Sequence, residues 1–205
     1  MRALVYRGPA SLSGCPEAVA SVLAATGCDV RYVGPDEDLA LTGDVLAGAD
    51  LYAQPGGGTL RQGWRRMKRH RRAVRRFVGD GGHYIGFCLG AYLAGATPGF
   101  GLLPGDTDQA LDTEDDTVIE VDWGGTRRAV FAQDPAALLV DGRAEVLARY
   151  GDGQAAAVVA PYGAGRVGVV GPHPEATADW FTDAGLPVAP DARDLARDLV
   201  VRTVS

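Results

Sequence analysis

The chain has 205 residues, 46% of them hydrophobic, enough to enclose a full core in one domain spanning 1–205, and its formal charge of −6 argues against a general nucleic-acid binder. No window approaches the roughly 18 consecutive apolar residues of a membrane span, and MRALVYRGPA at the N-terminus has no apolar run ahead of a small-residue cleavage site; the expectation is a soluble, cytoplasmic protein without membrane contact. Three cysteines, Cys15, Cys28 and Cys88, with no CxxC spacing indicate neither a disulfide framework nor a zinc ribbon.

In chain order, ALVYR (3–7) reads as a buried strand followed by the loop GPASLSG. CPEAVASVLAAT (15–26) predicts a helix, with Pro16 suited to its first turn and Gly27 to its stop. DVRYVG is a second strand, residues 36–47 a weaker helix, and DLYAQPGGG a third strand ending in three glycines. Residues 62–78 predict one strongly basic helix, in which Trp64, Met67, Val74, Phe77 and Val78 are spaced to pack on a sheet. Within it RRMKRHRRAVRR, 65–76, holds eight of the chain's 20 Lys and Arg, leaving 12 against 26 acids elsewhere. Those arginines read as a solvated face or as a docking surface for an acidic protein partner; nucleic acid is disfavoured by the acidity of the remainder.

HYIGFC (83–88) is a fourth strand, and LGAYLAGA opens a short helix. Strands alternating with helices imply an α/β fold, a parallel sheet covered on both faces. Beyond Gly105, DTDQALDTEDD (106–116) reads as an acidic loop without metal-ligand spacing. TVIEVDW, RRAVFA, AEVLARY, AAAVVAPYG and GRVGVVG then read as strands that extend the same sheet in antiparallel fashion, ahead of a helix near 191–202. No cofactor is expected.

Ligands of open parallel sheets bind beyond the carboxyl ends of the strands. The loops expected there are GPASLSG, PGGGT and the turn at Cys88. Gly86-Phe87-Cys88-Leu89-Gly90 matches the G-x-nucleophile-x-G elbow, where small residues flank a nucleophile on a strained strand-to-helix turn. A thiol nucleophile needs a base, and the base needs a group that fixes its orientation. VVGPHPEA supplies both as His173 and Glu175, directly after an apolar strand. His70 lies in the basic segment and His83 at the far end of strand four, so neither is placed to serve Cys88. Backbone amides of Leu89 and of Gly57 or Gly58 are the candidate oxyanion donors. Tyr92 is read as lining the pocket or packing under the elbow, and Cys15 as an N-terminal helix residue that could come near Cys88.

Together, GFCLG, PGGG and HPE resemble the class I glutamine amidotransferase-like superfamily. More narrowly, LVYRGPAS, QPGGG, GGHYIGFCLGAYLAG and AAAVVAPYGAGRVGVVGPHPEA resemble the family named after the N-terminal domain of biotin-protein ligase, over roughly residues 3–176. The resemblance implies a flavodoxin-like fold with a Cys88-His173-Glu175 triad that attacks a small-molecule amide through a thioester. Glutaminase domains of the superfamily carry CLGHQ where this chain has CLGAY, with Tyr92 in place of the substrate-binding glutamine, so free glutamine is not implied as substrate. The glycine- and arginine-rich biotin-binding signature of the ligase's catalytic domain has no counterpart, and biotinylation is not implied. Two other readings stand beside the hydrolase: a non-catalytic ligand-binding or regulatory module on the same fold, and the related branch in which an elbow cysteine handles aldehydes or oxidants.

Overall fold

The computed structural model describes residues 1–205. The chain runs β1 (Arg2–Tyr6), α1 (Cys15–Ala25), β2 (Asp29–Val33), α2 (Gly43–Ala47), β3 (Leu51–Gln54), α3 (Leu60–Met67), α4 (Arg71–Gly79), β4 (His83–Phe87) and α5 (Leu89–Ala94). There follow β5 (Gly105–Gln109), β6 (Thr117–Trp123), β7 (Thr126–Ala132), β8 (Ala136–Val140), β9 (Glu145–Tyr150), β10 (Ala155–Tyr162), β11 (Gly165–Val170), α6 (Ala178–Asp183) and α7 (Arg193–Val204). All strands join one sheet in the order β2-β1-β3-β4-β11-β10-β9-β6-β7, with β8 pairing β10 and β5 pairing β8.

The central strands are parallel. β1 pairs β2 and β3, β3 pairs β4, and β4 pairs β11, all in the same direction. This is the flavodoxin-like order with β11 as the fifth strand. GRVGVVG is thus a member of the parallel core on one side and antiparallel to β10 on the other. A strand arriving from a hairpin can join a parallel core only as its last member, and the antiparallel β6–β10 region is the crossover that delivers it.

Alternation along the strands divides the interior into two clusters, one on each sheet face. Ala3, Val5, Ile85 and Val170 meet Val19 and Leu23 of α1 and Leu195 and Leu199 of α7. Leu4, Tyr52, Tyr84 and Val167 meet Met67, Val74 and Phe77 from α3 and α4 and Leu89 and Leu93 from α5. No helix is long and apolar enough to cross a membrane.

Four expectations are corrected. The weaker helix over 36–47 is reduced to α2, because Thr42 caps it by accepting from the Val45 N–H (3.3 Å), while Glu37 is drawn into an ion pair with Arg7 (2.6 Å). The basic helix over 62–78 is two helices separated by a single 3₁₀ turn at Lys68–His70. Like charges three and four residues apart repel along one continuous helix, and the break lets α3 bury Met67 while α4 buries Val74, Phe77 and Val78. Arg71 and Arg75 donate to the Phe100 carbonyl at 3.3 and 2.7 Å, so part of the basic cluster anchors the segment after α5. The first four residues of the acidic loop are strand: Gly105–Gln109 pairs with β8, a strand the sequence reading omits along with α6.

The turn from β4 into α5 is closed by contacts that leave no room for side chains. A Cβ at Gly86 would run into the Gly90 carbonyl, and one at Gly90 into the Gln54 carbonyl at the end of β3. Tyr84 donates from its hydroxyl to the Gly90 carbonyl (2.7 Å). Gln54, fully buried, accepts from the Tyr52 hydroxyl (2.7 Å) and donates to the Ala10 carbonyl (2.9 Å), tying the loops after β1, β3 and β4 together. Gly86→Ala and Gly90→Ala should each destabilise by about 1–3 kcal/mol through overpacking, whereas Gly43→Ala, where nothing lies within 4 Å, should stay within about 0.5 kcal/mol of the native chain. Urea denaturation midpoints distinguish these outcomes.

Candidate active site

Cys88 follows the last residue of β4 with φ 48° and ψ −106°, a conformation that non-glycine residues rarely adopt and that the surroundings must enforce. Its N–H donates to the Val170 carbonyl at the end of β11 (3.0 Å). The elbow is therefore fastened to the strand that leads into His173. That histidine is held from the other side, where its N–H donates to the Phe131 carbonyl of β7 (2.8 Å).

His173 Nδ1 and Glu175 Oε1 lie 2.8 Å apart, and the two residues are only 4% and 0% exposed. With Nδ1 committed to the carboxylate, Nε2 is the nitrogen left for other partners. Burial lowers the affinity of the imidazole for a proton, yet the charges of Cys88 and Glu175 outweigh it and hold its pKa well above the ordinary value. By distance and angle the thiol itself is bonded to the Gln133 carbonyl, Sγ to O 3.6 Å. Cys88, His173 and Glu175 thus lie at one end of the sheet, with His173 paired to Glu175 and its proton affinity raised by the charges of Cys88 and Glu175.

Gly57 and Gly58 lie opposite. Together with Leu89, Tyr92, Glu114, Gln133 and Asp134 they line a cavity of about 180 Å³ around Cys88. Neither glycine N–H is spent on another protein group. Tyr92 both packs and lines: it is 7% exposed, and its hydroxyl reaches Asp134 Oδ1 and the Pro135 carbonyl, each at 3.3 Å. Burial and the adjacent Asp134 carboxylate raise its pKa.

Cys15, the first residue of α1, also comes to the site. The thiol and the His173 imidazole both press on Gly56, where a Cβ would sit 3.4 Å from Cys15 Sγ and 2.5 Å from His173 Cε1. Burial pushes the Cys15 thiol up to about 12, so it stays protonated at neutral pH. His70 accepts from Arg69 Nε (3.0 Å) in the 3₁₀ turn, and His83 opens β4 at the opposite sheet edge. A larger cavity of about 710 Å³ lies at that opposite edge against His83, Asp50 and Met1 and holds no nucleophile. No three His, Cys, Asp or Glu side chains are grouped to hold a metal ion.

Sequence reasoning missed Gly56, Gln133, Asp134, Phe131 and Trp180. Gly56 could have been found, since it belongs to the quoted PGGG run. The others sit at or beyond the end of β7 and in α6, and no motif marks them. Asp134, at φ 43°, is the second non-glycine residue of the chain with a left-handed backbone.

Residues 1–116 match the family model described as biotin-protein ligase, N terminal. Among solved structures, a glutamine amidotransferase superposes with TM-score 0.65 at 19% identity, covering 90% of this chain and 99% of the other. One from Thermotoga maritima gives TM-score 0.69 at 14% identity over 100% and 98%. Another, from Methylobacillus flagellatus, gives 0.61 at 16% over 98% and 87%. At these identities the likeness is one of fold. No curated protein matches the sequence.

The raised imidazole fixes a sign for pH dependence. Above the unfolded value of about 6.5, the folded chain holds a proton that the unfolded chain has lost, so stability from this group falls as pH rises toward the raised folded value. Tm measured from pH 6.5 to 9 should decline more steeply for the native protein than for Glu175→Gln, which removes the charge that favours the imidazolium. Parallel Tm curves would contradict that assignment.

Proposed function

This chain belongs to the biotin-protein ligase, N-terminal family, and on that premise we propose that it is a cysteine-dependent amide hydrolase of the glutamine amidotransferase-like type. The observation that carries the reading is the buried His173–Glu175 pair at 2.8 Å beside a cysteine held at φ 48°. Such a pair stores and returns a proton, and such a turn exposes a sulfur.

Cys88 Sγ adds to the amide carbonyl while His173 holds the thiol proton. The Gly57, Gly58 and Leu89 amides receive the developing oxyanion, their donors being otherwise idle at the loop and the helix start. On collapse the carbon–nitrogen bond breaks, the imidazolium gives its proton to the departing amine, and an acyl thioester remains on Cys88. Water, deprotonated by His173, then adds to the thioester and releases the acid and the thiol. Glu175 keeps Nδ1 occupied throughout, so that Nε2 faces the chemistry. Tyr92 narrows the sulfur-side cavity where glutaminase relatives carry glutamine, which favours an acyl group other than that of free glutamine.

The hydrogen bond from Cys88 to the Gln133 carbonyl supports a second reading, a ligand-binding module with a resting thiol. The two separate experimentally. The hydrolase reading expects rapid alkylation of Cys88 ahead of Cys15 and Cys28 at neutral pH, an acyl adduct on Cys88 by mass spectrometry, and no turnover by Cys88→Ala. His173→Ala should lower kcat by about 10²–10⁴-fold. Amide cleavage unchanged in Cys88→Ala would overturn the mechanism, and ligand binding without any adduct would favour the module.

A further inference from the structure

We infer that the amide cleaved here carries a second cationic nitrogen on its leaving group, so that the substrate class is a monoacylated diamine; this rests on the hydrolase reading above. Two cavities flank the Cys88–His173 pair and share only Gly57 and Gln133 in their walls. The proton that expels the amine comes from His173, so the leaving group lies on the imidazole side and the acyl group on the sulfur side.

The imidazole side is the larger, about 360 Å³ against about 180 Å³. Ammonia, the leaving group of a primary amide, is comparable to a water molecule, whose share of liquid is about 30 Å³. The cavity is far larger than ammonia needs, and a substituted amine fits it better.

Its walls state the charge of that amine. Asp116, Asp179 and Asp183 line it and no Lys or Arg does. None of the three takes part in any of the chain's salt bridges. Asp179 accepts only from the neighbouring Thr177 hydroxyl. Phe131 and Trp180 complete the wall, edge to face with each other at 5.7 Å and with His173 at 6.1 and 5.2 Å. Unpaired carboxylates beside aromatic rings attract an ammonium group and repel a carboxylate. His173 is itself 4% exposed and lines this cavity, and beyond its coupling to Cys88 its Nε2 has no partner in the protein. The cavity thus opens on the group that must reach the leaving nitrogen. The sulfur-side walls, with Glu114 and Asp134 and no Lys or Arg, offer no clamp for a carboxylate on the acyl group either.

In the reaction the carbon–sulfur bond forms, the carbon–nitrogen bond breaks, and the imidazolium proton moves to the leaving nitrogen. The free diamine departs, and hydrolysis of the thioester yields the carboxylic acid and restores the thiol. No oxidant or cofactor is consumed.

Three amides with one acyl group test this on the full chain: N-acetyl-1,4-diaminobutane, N-acetylbutylamine and N-acetyl-4-aminobutyrate. The expected order of kcat/KM is ammonium over neutral over carboxylate, with about tenfold between the first two. Asp116→Asn combined with Asp183→Asn should shrink that ratio to about threefold or less. Equal rates, or a preference for the carboxylate, would overturn the inference while leaving the hydrolase reading intact. Should none of the three be cleaved, the hydrolase reading fails for this acyl group, and calorimetry with Cys88→Ala decides the inference: binding of the ammonium amide at least fivefold tighter than the neutral one supports it, and equal or absent binding overturns it.

Discussion

The pairing of β4 with β11 in parallel, Phe87 beside Val170, is the constraint on which the rest of the site depends. Parallel neighbours end at the same sheet edge, about 4.8 Å apart. Cys88 is the first residue past one strand, and His173 the third past the other. Residues distant in the chain are thereby delivered side by side without any long loop having to be ordered for the purpose. The Cys88 N–H bond to Val170 continues the ladder one step beyond the strands, so the strained turn is part of the sheet and inherits its rigidity.

That rigidity has an electrostatic counterpart. Glu175 is fully buried, and its Oε2 has no hydrogen-bond partner in the protein. A carboxylate removed from water and left partly unsatisfied is expensive by several kcal/mol, and the arrangement is tenable because the imidazole across from Oε1 can carry the compensating positive charge. The same coupling that makes burial tolerable raises the proton affinity of His173. Stability and the protonation of His173 are therefore linked through one short contact.

Much of this was legible in the sequence because it is written in local chemistry. A cysteine between two glycines at a strand end, and HPE after an apolar run, each carry their geometry in a few residues. The parallel strands were legible as apolar runs bounded by turn residues. What escaped was set by tertiary context. GDTDQ of β5 is a strand at the sheet's margin, paired on one side only, so it needs no apolar alternation and reads as loop. The split of the basic helix is decided by which side chains reach the core and by the carbonyls of Phe100 and Gly101, neither visible along the chain. GRVGVVG is expected to extend the sheet in antiparallel fashion, which holds toward β10 but not toward β4, where the pairing is parallel; direction belongs to the neighbour and not to the residues.

The unassigned residues share a location, and it explains why they carry no motif. Phe131, Gln133 and Asp134 lie at or just beyond the end of β7, and Trp180 lies in the six-residue α6; both belong to elements added around the parallel core. The core positions Cys88, His173 and Glu175 at fixed spacings from the ends of its strands. The added elements meet the site through cavity walls and through two backbone carbonyls, that of Phe131 at the His173 N–H and that of Gln133 at the Cys88 thiol, contacts that leave side-chain identity free. On the proposed function, the elbow and the HPE turn would supply the chemistry, and the β7 end and α6 would shape what it acts on. Gln133 stands at the boundary between the two: its carbonyl accepts a hydrogen bond from the Cys88 thiol, Sγ to O 3.6 Å, and the residue lines both cavities. On the proposed mechanism, that contact is the one the Cys88 thiol has to give up before it can act as a nucleophile.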